Sequence, residues 1–323
     1  MSLHQEILNF LSENRIEYDT ETIEGISVVI AHTRKNGKIS IIPVPITARS
    51  PYEAEEQTSA ISCCIDAIVS RTGERPIIIA QDRWYGQEEM LKTRLLAHLG
   101  IFTQVYARNC EIRKIDKALA ADFLNRNHSY GDATCRYRYG LYLKRHTGHN
   151  SDSVDVAPGT LVAVATFSNA RKWIKGGKTI RSYEWTRYAS LPGLRICGGM
   201  GKLLKVFIEE VRPDDIMTYA DLEWSEGDVY KSLGFSLEGY RQGIYYSLPE
   251  LSKFEISDEP IFPLSPAPFI DAARCKGPLD HLHSRSRPLA GGGMSTPTFG
   301  SSDKVYFKNF GSNKYRLKLT DYH

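Results

Sequence analysis

At 323 residues the chain can hold two ordinary domains, and its 41% apolar and 24% charged residues mark a globular protein rather than a disordered or fibrous one. Its 41 basic and 38 acidic side chains leave a formal charge of only +3, so no global field draws a polyanion, and such a partner would need a local basic cluster. The cysteines (Cys63, Cys64, Cys110, Cys135, Cys197 and Cys275) lack the short paired spacings of a zinc site, and no run reaches the roughly 18 apolar residues of a membrane span. With no secretory leader visible, these features predict a cytoplasmic protein with reduced thiols, no bound metal and no membrane segment.

The first ten residues have the pattern of an amphipathic helix. Ile26–Ile30 and Ile39–Ile46 are β-rich runs joined through Lys35, Asn36, Gly37 and Lys38, and Asn-Gly is the strongest short hairpin signal. A helix is predicted over Tyr52–Arg71, a buried strand over Ile77–Ala80, and a helix over Gln87–Leu99 stopped by Gly100. These elements predict a small α/β domain over residues 1–104.

From Val105 the pattern restarts with a short strand, a helix over Asp116–Asn127 and strands near Tyr137–Leu143, Leu161–Ser168 and Ile180–Ala189. A polar loop is expected between Arg145 and Pro158. The second domain is predicted over 105–254, closed by a strand at Leu237–Leu248. Residues 255–304 are rich in Pro and Gly and poor in aliphatics, which predicts a disordered linker. The final segment, 305–323, regains aromatic and basic character and is expected to dock back.

The chemistry concentrates between Ser182 and Phe235. Gly198, Gly199, Met200, Gly201 and Lys202 open a predicted helix whose Leu203, Leu204, Phe207, Ile208 and Val211 form an apolar stripe of helical period. Glycines before a helix leave backbone N–H groups and partial positive charge to face an anion such as a diphosphate, although a plain tight turn with close helix packing has the same signature. A strand over Ile216–Asp221 and a helix bearing Tyr230 follow.

This order of strand, glycine turn, helix, strand and a helix ending in Tyr230, Leu233, Gly234 and Phe235 resembles the coenzyme-A-binding core of the GNAT superfamily of N-acyltransferases. A narrower set of motifs, at Phe123–His128, Val162–Phe167, Tyr183–Arg187, Gly198–Leu204 and Tyr219–Ser225, resembles phage proteins with a GNAT-like domain. That group includes the Mom-type DNA-modification enzymes and the GNAT-like halves of homing-endonuclease-like proteins. The resemblance implies an α/β (α+β) fold, a GNAT-like mixed sheet flanked by helices, and acetyl-CoA or another acyl-CoA at Gly198–Lys202. It further implies Tyr230 as donor of a proton to the leaving thiolate, Asp221 as a polar partner, Arg187 beside the acyl site, and His128 and Tyr130 on the entry loop. One departure stands out: the Gln or Arg that usually lies three residues before the first glycine of the Gly199, Gly201 pair is Ile196 here, with Arg195 one place off.

Residues Ile77–Trp84, Glu89–Leu96 and Ala107–Ile112 resemble the N-terminal part of the same phage proteins, a domain similar to very-short-patch-repair nucleases. Such nucleases need carboxylates on a central hairpin to hold a metal. There is no Asp or Glu between Glu24 and Glu53, and only Asp82 stands at the matching later strand. A degenerate domain that binds DNA or a partner is therefore expected. The resulting expectation is a GNAT-like acyltransferase that modifies a nucleic-acid base or an amine attached to one, with a nucleic acid, DNA first, as its partner. The alternatives are a non-catalytic DNA-binding protein of a phage or mobile element and a small-amine or protein N-acetyltransferase.

Overall fold

The computed structural model describes residues 1–146, 155–249 and 304–322. Most of the polar loop expected between Arg145 and Pro158, and nearly all of the linker expected over 255–304, fall outside the described residues. The chain forms two compact units, Met1–Glu88 with Asp221–Glu226 and Tyr240–Ser312, and Glu89–Ala220 with Gly227–Gly239 and Asn313–His323. Linear boundaries at 104 and 254 do not describe this division, because strands distant in sequence pair within each unit.

In the first unit, helix α1 (Leu3–Glu13) is capped by Ser2, whose hydroxyl accepts the Gln5 N–H, and it buries Leu3, Ile7, Phe10 and Leu11. Strands β1 (Tyr18–Ile23), β2 (Ile26–His32) and β3 (Lys38–Val44) form an antiparallel meander. The Asn-Gly signal lies in the β2–β3 turn, where Asn36 takes φ +59°. Helix α2 (Pro51–Thr72), capped by Ser50 and ended by a left-handed Gly73, makes the crossover to β4 (Ile77–Ala80), which pairs parallel to β3. A short helix α3 (Gln81–Gly86) follows directly and buries Asp82, Arg83 and Trp84. Arg83 there forms a fully enclosed ion pair with Glu223, and Trp84 and Tyr85 donate to the Glu6 carboxylate.

The second unit opens with α4 (Glu88–His98) and β5 (Thr103–Tyr106), then β6 (Cys110–Lys114), α5 (Lys117–Asn127) and β7 (Tyr137–Leu143). Strands β8 (Leu161–Phe167), β9 (Arg171–Lys175), β10 (Lys178–Ser190) and β11 (Leu194–Cys197) lead into α6 (Gly199–Val211), β12 (Asp215–Asp221), α7 (Asp228–Ser232) and β13 (Ser236–Arg241). The chain then returns to the first unit with β14 (Tyr245–Pro249) and β15 (Lys304–Lys308), which pair antiparallel. The last strand, β16 (Ser312–Lys318), re-enters the second unit's sheet. The predicted closing strand at Leu237–Leu248 is thus two strands in different sheets, and so is the C-terminal segment.

The large sheet runs β13-β16-β12-β10-β8-β7-β6, with β9 paired to β10 and β5 paired separately to β11. Helix α6 lies on it through Leu203, Leu204 and Phe207, with the Phe207 ring stacked on Phe167 at 3.8 Å. This is a mixed α/β architecture, a sheet of both strand senses flanked by helices, as the motif resemblance implies. Among the described residues no helix is long and apolar enough to cross a membrane.

Buried polar groups hold β16 in place. Asp215, fully enclosed at the start of β12, accepts from Ser182, Arg316 and Tyr322, while Arg316 also donates to both oxygens of Glu238 at 2.7 and 3.1 Å. Removing Arg316 would leave the Asp215 charge enclosed with only hydroxyl donors. Arg316→Ala should therefore cost about 3–5 kcal/mol in urea denaturation. Partial burial pushes the Glu238 carboxyl up, but the bonds from Arg316 and Lys314 outweigh it and hold the group below its ordinary range. A depressed folded pKa gives stability that is present above the unfolded value, near pH 4.3, and lost as pH falls through the folded one. Thermal midpoints should accordingly decline from about pH 5 towards pH 3, and less steeply in Glu238→Gln.

Candidate functional site

In the second unit the parallel neighbours β10 and β12 part along their length. Strands β10 and β12 pair at Ser182 with Asp215, Tyr183 with Ile216 and Glu184 with Met217, and the ladder stops there. Both strands continue, β10 to Ser190 along β8 and β12 to Asp221. Beyond the ladder the Thr218 hydroxyl donates across the gap to the Trp185 carbonyl at 3.2 Å. A bulge in β10 between Trp185 and Arg187 sharpens the divergence, and the Trp185 indole N–H folds back onto the Arg187 carbonyl at 3.0 Å. In open sheets the carboxyl ends of parallel strands, where neighbours separate, are where ligands enter.

Strand β11 and helix α6 form the crossover between these two strands. The turn between them carries Gly198 at φ +75°, a left-handed conformation that a side chain would strain, and α6 starts with no side-chain cap. Its first N–H groups therefore have no partner within the helix, the condition under which a helix N-terminus takes an anion. Gly199 and Gly201 have a packing reason as well. A Cβ on Gly199 would meet the Ile196 side chain at 2.8 Å, and one on Gly201 would meet Leu233 at 3.2 Å. Met200 is half-buried against the core. Lys202 departs from the expectation: its ammonium donates to the carbonyls of Ala107 and Cys110, so it braces the turn against the short 3-10 segment Ala107–Asn109 instead of reaching for phosphate.

Tyr230, on α7, has its ring among Trp185, Phe235 and Tyr315, at centroid distances of 6.1, 5.7 and 5.7 Å. Burial pushes its phenol up, against weaker downward pulls from a hydrogen bond with Thr218 and from the Arg94 charge. The phenol thus carries its proton at neutral pH and hydrogen-bonds Thr218, the residue that bridges the parted strands.

Arg187 sits just past the bulge. Its guanidinium donates to the carbonyls of Gly131 at 2.9 Å and Thr186 at 2.8 Å, and burial holds its pKa below the ordinary value. Through Gly131 it fixes the loop that carries His128 and Tyr130, where His128 Nδ1 accepts the Tyr130 N–H at 3.0 Å. The structure therefore gathers Arg187, His128 and Tyr130 into one constellation, with Arg187 positioning backbone. Asp221 belongs to the first unit, and its Oδ1 accepts the Glu223 N–H at 3.1 Å in the turn after β12. That is the turn-forming role of an aspartate after a strand.

Thr218 and Arg94 are absent from the sequence-derived set. Thr218 is one of several hydroxyl residues in β-rich runs, and only the end of the β10–β12 ladder singles it out. Arg94 lies on a helix that the sequence assigns to the other domain. Among the described residues no group of three or more His, Cys, Asp or Glu side chains converges as a metal site.

No protein-family profile matches the chain, and no curated protein matches it in sequence. Solved structures that match in shape include a Bacillus subtilis acetyltransferase in complex with CoA, at 10% identity and TM-score 0.29, covering 65% of this chain and 99% of that one. Another is a GNAT-family protein from Desulfovibrio desulfuricans, at 11% identity and TM-score 0.31, covering 65% and 99%. A third, from Salmonella typhimurium and bound to its cofactor acetyl-CoA, matches at 13% identity and TM-score 0.31, covering 66% and 96%.

The turn's geometry makes a direct prediction about the free protein. Lys202→Met should lower stability by about 1.5–3 kcal/mol with no ligand present, because two carbonyls lose a charged donor. A residue reserved for a ligand would instead leave the chemical denaturation curve unchanged.

Proposed function

We propose that the second unit is an acyltransferase that uses an acyl-CoA thioester and an amine acceptor, the amine belonging to a nucleic-acid base. The observation that carries this reading is the parting of β10 and β12 beyond Glu184 and Met217, with an uncapped glycine turn at the head of the intervening helix. An extended pantetheine-like arm bearing amides fits between two strands whose mutual ladder has ended, since their backbone polar groups can take a third partner. The diphosphate of such a ligand suits the uncapped N–H groups before Lys202. The motif resemblance leads to the nucleic-acid acceptor.

In this mechanism the acceptor nitrogen attacks the thioester carbonyl carbon, a C–N bond forms and the C–S bond breaks. The leaving sulfur takes the phenolic proton of Tyr230, and the nitrogen releases its proton to water. The raised pKa of Tyr230 keeps the donor protonated through neutral pH. Arg187 acts as a positioning residue for the loop that carries His128 and Tyr130.

Tyr230→Phe should lower kcat by about a hundredfold or more while the affinity for acetyl-CoA, measured by calorimetry, changes little. Mass spectrometry of nucleosides from cells expressing the protein tests the acceptor. A base mass shift present with the native protein and lost with Tyr230→Phe supports the reading. Acetylation confined to small amines or proteins would contradict the nucleic-acid acceptor, and no acetyl-CoA binding would contradict the transferase.

A further inference from the structure

The hairpin formed by β9 and the first half of β10 has a composition that neither the core nor the cleft explains. Within Arg171–Arg181 stand five cations, Arg171, Lys172, Lys175, Lys178 and Arg181, and no acidic residue occurs between Asp155 and Glu184. Every residue of β9 is exposed, and Ile174 near the tip is 78% exposed. Antiparallel register sets Lys175 directly opposite Lys178, and Lys172 directly opposite Arg181. Like charges facing each other across a ladder destabilise it. Arg181 has relief from Asp214 at 3.6 Å, whereas the described contacts give Lys172, Lys175 and Lys178 no carboxylate.

Cations on an edge strand also guard against pairing with another chain. Guarding does not call for facing cation pairs or for an aliphatic side chain presented to solvent. The base of the hairpin is braced: Trp173 lies edge-on to Tyr322 at 6.2 Å with the Arg316 guanidinium 5.5 Å from its centre. The cations are thus carried on an anchored two-stranded ribbon.

We infer that this ribbon is a binding surface for the phosphate backbone of double-stranded DNA. A two-stranded antiparallel ribbon has the width that the major groove of B-form DNA admits, about 12 Å, with cations on both ribbon faces to meet the flanking phosphates. Single-stranded nucleic acid is held by open aromatic platforms, and the Trp173 ring is already engaged by Arg316 and Tyr322. Duplex RNA closes its major groove to side chains. An anionic membrane also attracts cations, but insertion into it calls for a broad apolar face, and the exposed apolar groups of β9 are only Trp173 and Ile174. The inference extends the nucleic-acid reading of the acceptor, and it is tested by binding without catalysis.

The experiment is fluorescence anisotropy of a labelled duplex of about 20 base pairs, titrated with the full chain between 50 and 200 mM salt. The native protein should bind with a steep inverse salt dependence. A Lys172→Ala, Lys175→Ala, Lys178→Ala triple variant should bind at least about tenfold more weakly at the low-salt end, with a log–log slope smaller by roughly 2 to 3. The matching triple Lys→Arg variant should bind like the native protein. The alanine variant should unfold at or above the native midpoint, because facing like charges are removed, and should keep the native calorimetric response to acetyl-CoA. Unchanged affinity and slope in the alanine variant, or capture by phosphatidylserine vesicles in place of duplex, would overturn the inference. Hairpin-dependent DNA binding without any acetyl-CoA binding would remove the transfer reading and leave the surface standing.

Discussion

A parallel ladder only three residue pairs long governs the second unit. Between Ser182–Glu184 and Asp215–Met217 the two strands are neighbours, and beyond those positions they are not. A longer ladder would close the sheet and leave a continuous core surface. A shorter one would separate β12 from the Phe167, Phe207 and Trp185 cluster that seats helix α6. The buried Asp215 supports this seam by drawing Ser182 from β10 and Arg316 from β16 onto one carboxylate at the point where pairing begins. The strands are clamped at one end and released at the other.

The same strand joins the two functional readings. Strand β10 carries the basic hairpin at its start and the bulge with Arg187 at its end, nine residues on from Lys178, a span of about 30 Å at ordinary strand rise. Near Trp185 the priorities differ from those of an ordinary core. Its indole serves the Arg187 carbonyl and its own carbonyl serves Thr218, so side chains supply two of the bonds that the missing ladder would have supplied.

Much of this was legible in the sequence. The apolar stripe from Leu203 to Val211 fixed α6, the Asn36 turn fixed the first hairpin, and strand, glycine turn, helix and strand follow one another as their periodicities imply. The unit boundaries were not legible, because β5 belongs with β11 and β16 belongs between β12 and β13, and pairing across a hundred residues leaves no local mark. Strand β9 escaped notice for a physical reason: with every side chain exposed it lacks the alternation by which a half-buried strand is read. Lys202 reads from sequence as a phosphate ligand, and only the approach of the Ala107 and Cys110 carbonyls reveals it as a brace.

The central claim is that an acyl-CoA lies between the parted strands with its diphosphate on the glycine turn. Amide hydrogen exchange with and without acetyl-CoA tests it at residue level. The account predicts slowed exchange at Gly199–Gly201, at Thr186–Tyr188 and at Thr218–Ala220, with the Lys38–Val44 strand of the first unit unaffected. Saturating acetyl-CoA that leaves those three segments exchanging as in the free protein would contradict it.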